Sequence, residues 1–170
     1  MPVSREPHAS LPGLLPRLVA FARTMVGDGD IARDLVQEAA ARALAARRVP
    51  ADNPAYRAWM FRIVRNAALD HLRRNQVRTT APAPPEVDLW RYDDAHIAKI
   101  TVEQGLASLE APQREIIALI DIAGFGYAEA AEMLQIPVGT VMSRISRARA
   151  CLLGAIEASA VRPLKSSHGH

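Results

Sequence analysis

The sequence predicts an all-α fold made of two small helical domains, on three observations. Apolar residues, with Ala and Leu foremost, reach 49% while aromatics make up 5%, a balance that favours helix packing over a sheet sandwich. Apolar positions recur at three- and four-residue spacing in both halves, with no alternating strand pattern. One proline-rich stretch near the middle interrupts that periodicity and divides the 170 residues into two units.

The first helix is expected from Leu11 to Val26, where Leu14, Leu15, Leu18, Val19, Ala22, Met25 and Val26 form one stripe. Gly27-Asp28-Gly29 ends it. Asp30 is placed to cap a second helix carrying Ile31, Leu35, Val36, Ala39 and Leu44. Its outward stripe holds Asp34, Gln37 and Glu38. Pro50 to Pro54 is a break, and a third helix is expected from Ala55 to Arg74 around Trp59, Met60, Ile63, Ala67 and Leu72. Thr79 to Glu86 contains three prolines and reads as an extended linker, acidic as far as Asp94. The boundaries that follow are 11–76 for the first domain, 77–94 for the linker and 95–158 for the second domain.

In the second domain a helix is expected from Ala95 to Leu109 and another from Pro112 to a stop at Gly124. A short helix covers Tyr127 to Leu134, Gln135-Ile136-Pro137 forms a turn, and a longer helix begins near Val138. Ala131 and Leu134 share one face of the short helix; Val141, Ile145, Ala148 and Leu152 share one face of the long one. Ile136 sits at the corner, and small Ala130 and Ala131 let the helices approach. Short helix, tight turn and second helix with facing apolar stripes make a helix-turn-helix.

Charge completes that reading. The net charge is only +3, so clustering matters more than the total. From Val138 to Ala155 there is no acidic residue, while Ser143, Arg144, Arg147 and Arg149 lie on the side away from the apolar stripe. Arg reads guanine edges in a bidentate manner, and Arg and Ser hold phosphates, so this helix suits the major groove of DNA. Thr140, near the helix start, offers a hydroxyl where backbone amides face a phosphate. The third helix is a second basic element: Arg57, Arg62, Arg65, Arg73 and Arg74 lie on it with Tyr56, Trp59 and Phe61 among them. Basic plus aromatic side chains hold unstacked single-stranded bases. Trp59 reads as core; Phe61 fits either role.

Other function classes find little support. There is no glycine-rich phosphate loop, no metal-spaced His/Cys set and no nucleophile–base pair, so neither enzyme activity, cofactor nor metal is expected. The single Cys151 excludes an intrachain disulfide. No apolar run reaches the roughly 18 residues of a membrane helix, and Met1 to Ser10 lacks an apolar signal core, so no membrane insertion is expected. A phosphoacceptor receiver domain would need alternating strands, which this chain lacks.

Several segments together resemble one family. They are Asp34-Leu35-Val36-Gln37-Glu38-Ala39, the run from Ala58 to Arg74, Pro112-Gln113-Arg114-Glu115, Gly126 to Ala131, and Ile136 to Arg149. In this order, around a short linker, they resemble the bacterial sigma-70 factors of the extracytoplasmic-function (ECF) group, which keep only a sigma-2 bundle and a sigma-4 helix-turn-helix domain. The resemblance implies a cytoplasmic bacterial transcription-initiation factor that brings core RNA polymerase to promoter DNA and is held in check by an anti-sigma factor. It implies that Asp34, Gln37 and Glu38 dock on the β′ clamp helices and that the β flap is a further polymerase contact. It assigns the −10 element to Arg57, Phe61, Arg62, Asn66, Asp70, Arg73 and Arg74, with 48–57 as the loop that captures a flipped base. The −35 element falls to Thr140, Met142, Ser143, Arg144, Arg147 and Arg149. Met142 departs from the family, which places Lys or Arg there, so one charge is missing. The linker looks like the segment threaded toward the RNA exit path.

Overall fold

A computed structural model describes residues 8–76 and 94–160. They form seven α-helices: α1 (Leu11–Val26), α2 (Gly29–Leu44), α3 (Asn53–Gln76), α4 (Asp94–Ser108), α5 (Ala111–Ile117), α6 (Tyr127–Leu134) and α7 (Val138–Ala160). A π-helical turn, Ala118–Ile122, extends α5. Among the described residues there is no strand, and no helix is long and apolar enough to cross a membrane. The expected linker falls almost wholly outside the described residues, as does the His-containing C-terminus.

Local signals set the helix ends. Gly27 closes α1 at φ 78°, a left-handed value that glycine adopts without a Cβ penalty, and its amide donates to the Arg23 carbonyl at 2.8 Å. Asp28, not Asp30, caps α2. It lies in extended backbone just before Gly29, so its Oδ1 accepts from the amides of Asp30 (2.8 Å) and Ile31 (2.9 Å); Asp30 is already inside the first turn. α3 begins two residues earlier than expected, because Pro54 is tolerated in a first turn and Asp52 caps it, accepting from the Ala55 amide at 2.8 Å.

The helix expected from Pro112 to Gly124 is broken into two registers. After Ile117 the Ala123 amide reaches back five residues to the Ala118 carbonyl at 2.8 Å. The extra residue rotates the following side chains. Ile116 and Ile117 stay inside the second half, while Ala118, Leu119 and Ala123 turn into the first. Gly124 then takes φ 75°, and the Phe125 amide donates to the Leu119 carbonyl at 3.0 Å.

The two halves are consequently not separate bundles. One core holds Leu18, Phe21, Ala22, Val36, Tyr56, Met60, Phe61 and Val64 from α1–α3, and it is completed by Leu119, Phe125 and Met133. The other holds Leu109, Ile116, Ile117, Ala130, Ala131, Val141, Ile145 and Ala148. Ala130 and Ala131 are buried at the crossing of α6 and α7, as small residues there require. α4 closes on α7 at Gly105, where a Cβ would lie 2.9 Å from the Leu152 Cδ1. Ile145 is 2% exposed in the second core. Ile145→Ala should lower unfolding free energy by about 2–5 kcal/mol in a guanidinium titration; a loss under about 1 kcal/mol would mean that the helix-turn-helix is not packed on this residue.

Candidate nucleic-acid interface

The basic side chains of α3 divide between two faces. Arg62, Asn66, Asp70, Arg73 and Arg74 are exposed, with Arg62, Asn66 and Asp70 at successive four-residue steps on one stripe. Asp70 accepts from Arg73 Nη1 at 3.3 Å, and the Arg74 Nε donates to the Asp70 carbonyl at 3.2 Å, so the one acid on this stripe is partly neutralised in place.

Arg57, Phe61 and Arg65, at the same spacing one face over, meet the second half instead. The Arg57 guanidinium carbon lies 4.1 Å from the Phe125 ring centroid, and its Nη2 donates to the Ala123 carbonyl at 2.6 Å. Phe61 meets Phe125 edge-to-face at 5.1 Å and 88°, and Phe21 at 5.4 Å on another side. The Arg65 Nε donates to Glu115 Oε1 at 2.6 Å, with side chains only 19% and 15% exposed. The expectation that Phe61 is a base-stacking ring is therefore corrected: it is fully buried, enclosed by Phe21 and Phe125. Trp59 is partly buried against the same core, 5.6 Å from the Tyr56 ring. Burial also pushes the Tyr56 phenol up from its ordinary pKa, and its Oη lies 2.9 Å from His8 Nδ1.

The long helix of the helix-turn-helix presents its polar side to solvent. The turn before it puts Gln135 at φ 56°, and the Ile136 amide donates to the Ala131 carbonyl at 3.1 Å. Val138 and Met142 stand exposed one turn apart, and Arg144 and Arg147 are exposed beside them. Ser143 is half-buried, its hydroxyl donating to the Thr140 carbonyl at 3.1 Å. Thr140 lies within the first turn of the helix, and its own amide donates to the Pro137 carbonyl at 2.9 Å. Arg149 is drawn aside: its Nη2 and Nε donate to the two Asp121 oxygens at 2.6 and 3.1 Å. That bond raises the already high Arg149 pKa further and braces α7 against the π-helical turn. Arg144 and Arg147 are the arginines of this face without a carboxylate partner among the described residues.

The third group, Asp34, Gln37 and Glu38, is exposed on one side of α2, with Glu38 paired to Arg42. Beside α1 and α4 runs a mainly apolar groove of about 630 Å³, lined by Val19, Ala20, Val102 and Leu106 among others. Arg23 and Glu103 bridge these helices at 2.6 Å. Arg114, which also lines the groove, donates to the Leu109 carbonyl at 3.1 Å, and burial lowers its pKa.

Sequence reasoning missed Phe125 and Glu115 as partners of α3. A flanking Gly on each side of Phe125 was the available signal, since Gly124-Phe125-Gly126 marks a ring held on an exposed turn. The Arg65–Glu115 pair had no local signal. Removing it should matter more than removing an exposed pair. Glu115→Ala leaves a largely buried guanidinium unpaired and should destabilise by about 2 kcal/mol or more. Asp70→Ala, on a solvent-screened pair, should cost about 0–1 kcal/mol. Equal losses in urea denaturation would contradict the buried placement of Arg65.

The comparisons with known proteins agree with this architecture. Residues 13–78 match the Sigma-70 region 2 family and residues 100–152 the Sigma-70, region 4 family. The chain is 37% identical over 145 residues to the ECF RNA polymerase sigma factor SigC of Mycobacterium tuberculosis, covering 83% of this chain and 76% of that protein. It is 31% identical over 157 residues to EcfG of Rhodopseudomonas palustris, covering 89% and 86%. Among solved structures it resembles the sigma factor RpoE from Bartonella quintana, there in complex with the anti-sigma factor NepR, with a TM-score of 0.66, 31% identity and coverage of 88% and 95%. With both sigma regions in order and relatives matched over most of their length, the chain belongs to the ECF group of the sigma-70 family and is an RNA polymerase sigma factor.

Proposed function

We propose that this sigma factor reads the two promoter elements with two separate faces: the −35 duplex with α7 and the −10 non-template strand with α3. One observation carries this reading. Arg144 and Arg147 stand exposed on the second helix of a helix-turn-helix whose surface carries no acid from 138 to 155. A helix of that charge is attracted along the groove by phosphates and has guanidinium forks left for base edges. Thr140, Met142 and Ser143 complete the reading surface, and Arg149 acts as a brace, because Asp121 holds it. Met142 and Val138 offer apolar contact suited to a thymine methyl group where the family has a charge.

On α3, Arg62, Asn66, Arg73 and Arg74 face the −10 strand. Asn66 is suited to an unpaired base, since its amide both donates and accepts. Asp70 needs a base amino group as partner to be tolerated near phosphates. Asp34, Gln37 and Glu38 form the clamp-helix docking side, and the second half meets the β flap. Polymerase supplies the chemistry; the chain supplies binding energy and register. We place it in the bacterial cytoplasm, under an anti-sigma factor whose apolar side chains fill the groove between α1 and α4. The anti-sigma factor bound to the Bartonella sigma factor supports that choice of regulator.

Run-off transcription with purified core polymerase on a genomic template pool tests the reading. Aligned start sites with a shared upstream pair of elements are expected, and absence of any specific start would reject it. On a promoter so mapped, Arg147→Ala should weaken −35 binding by about 1–3 kcal/mol, whereas an unchanged footprint would remove Arg147 from the reading set. The double change Gln37→Ala with Glu38→Ala should weaken association with core polymerase in a pull-down while the free chain keeps its melting temperature. Undiminished capture would exclude the α2 face.

A further inference from the structure

We propose that the groove beside α1 and α4 binds a small amphiphilic carboxylate, a monoanion with an unbranched apolar tail, its head paired with Arg114 in the field of Lys99. The site depends only on its own lining and stands whether or not an anti-sigma factor also uses this surface. The groove encloses about 630 Å³, within the roughly 300–1,000 Å³ of small-molecule sites. Val19 and Ala20 line it from α1, Val102 and Leu106 from α4, and Ile122 from the π-helical turn. Val102 is 40% exposed, so the apolar lining is open to an incoming chain. A tail lying along these side chains removes their surface from water, which is the driving force for its capture.

Charge selects the head group. Four ionic side chains line the groove: Arg23, Lys99, Glu103 and Arg114. Arg23 and Glu103 neutralise each other at 2.6 Å, which leaves Lys99 and Arg114 as uncompensated positive charge among the described residues. Arg114 is the more demanding of the two. It is half-buried, its Nη2 donates to a neutral acceptor, the Leu109 carbonyl, and its Nε is buried with no hydrogen-bond partner. No carboxylate among the described residues meets it. Burial already disfavours its charged form, and an anion in the groove offsets that cost. A carboxylate matches the planar guanidinium and carries a single charge. A phosphate dianion would give up more hydration against the same apolar lining, and an inorganic anion would leave Val19, Val102 and Leu106 wet.

Isothermal titration calorimetry of the full-length chain with dodecanoate, below its micellar concentration, tests the site. Saturable binding of a single molecule per chain is expected. Two further probes separate head from tail. Dodecylammonium keeps the tail and reverses the charge; octanoate keeps the head and shortens the tail. Each should bind at least about tenfold more weakly than dodecanoate. Arg114→Met keeps an apolar stem and removes the guanidinium, and Val102→Glu puts a carboxylate into the groove without touching Arg114. Each should weaken dodecanoate binding about tenfold or more, and Arg114→Met should narrow the gap between dodecanoate and dodecylammonium. Circular dichroism melts establish that the variants are folded, and Val102→Glu decides the matter if Arg114→Met does not fold. Absence of saturable dodecanoate binding would overturn the proposal, as would equal binding of dodecylammonium or octanoate. Unchanged dodecanoate binding in a folded Val102→Glu chain would overturn it too, because the molecule would then sit elsewhere on the surface.

Discussion

Arg57 sits where the two halves meet, and the rest of the arrangement is organised around the demand of its charge. A guanidinium at that depth needs both an acceptor and a polarisable surface, and it finds them in the Ala123 carbonyl and the Phe125 ring. Meeting that demand fixes the turn at 123–126 against α3, which in turn requires the π-helical register change after Ile117 and the left-handed Gly124. Leu119 and Ala123 then fill the first core rather than the second. The Arg57 contacts and the burial of Leu119 and Ala123 thus act together where the second half completes the core of the first.

The energetics favour a junction that can open. Its polar members are the Arg65–Glu115 ion pair at 15–19% exposure, the more exposed Arg23–Glu103 pair, the Arg57–Ala123 hydrogen bond and a cation–π contact, and such contacts contribute modestly once desolvation and solvent screening are counted. The apolar members are few, chiefly Phe125, Leu119 and Met133. By contrast, the helix-turn-helix is held by a complete core of its own, from Leu109 to Ala148. A firm reading unit joined by a modest contact to a firm bundle is what a factor needs if its two reading faces are to be spaced by a partner rather than by its own chain.

Much of this was legible in the sequence. Seven helices follow from apolar spacing, and the breaks at Gly27, Pro50–Pro54 and Gln135–Pro137 are written in residues whose backbone preferences are strong. The helix-turn-helix core was readable because Val141, Ile145 and Ala148 must face Ala130 and Ala131. Phe61 was not, because periodicity says that a residue lies on a face but not which neighbour covers that face. Nor was the fate of Arg149: a basic residue on a polar stripe looks the same whether it awaits DNA or is held by Asp121, 28 positions earlier. The π-helical turn was hidden for another reason. Ala-Leu-Ile-Asp-Ile has nothing against a regular helix, and the wider turn is selected by tertiary contacts, those of Leu119 and Ala123 in the first core and of the 123–126 turn with Arg57. Among the candidate site residues, those with only local neighbours are exposed or half-buried, while Arg57, Phe61 and Arg149 are drawn onto long-range partners.

In the free chain the α5–α6 corner rests on α3. A single distance reports whether that contact is made. A label on Cys151, the one native thiol and exposed on α7, paired with a second on Arg17→Cys on the outer side of α1, reports the separation of the halves in double electron–electron resonance. One narrow, short distance is expected in the free chain, lengthening when core polymerase is added. A broad distribution in the free chain, unchanged by Arg57→Ala, would contradict it.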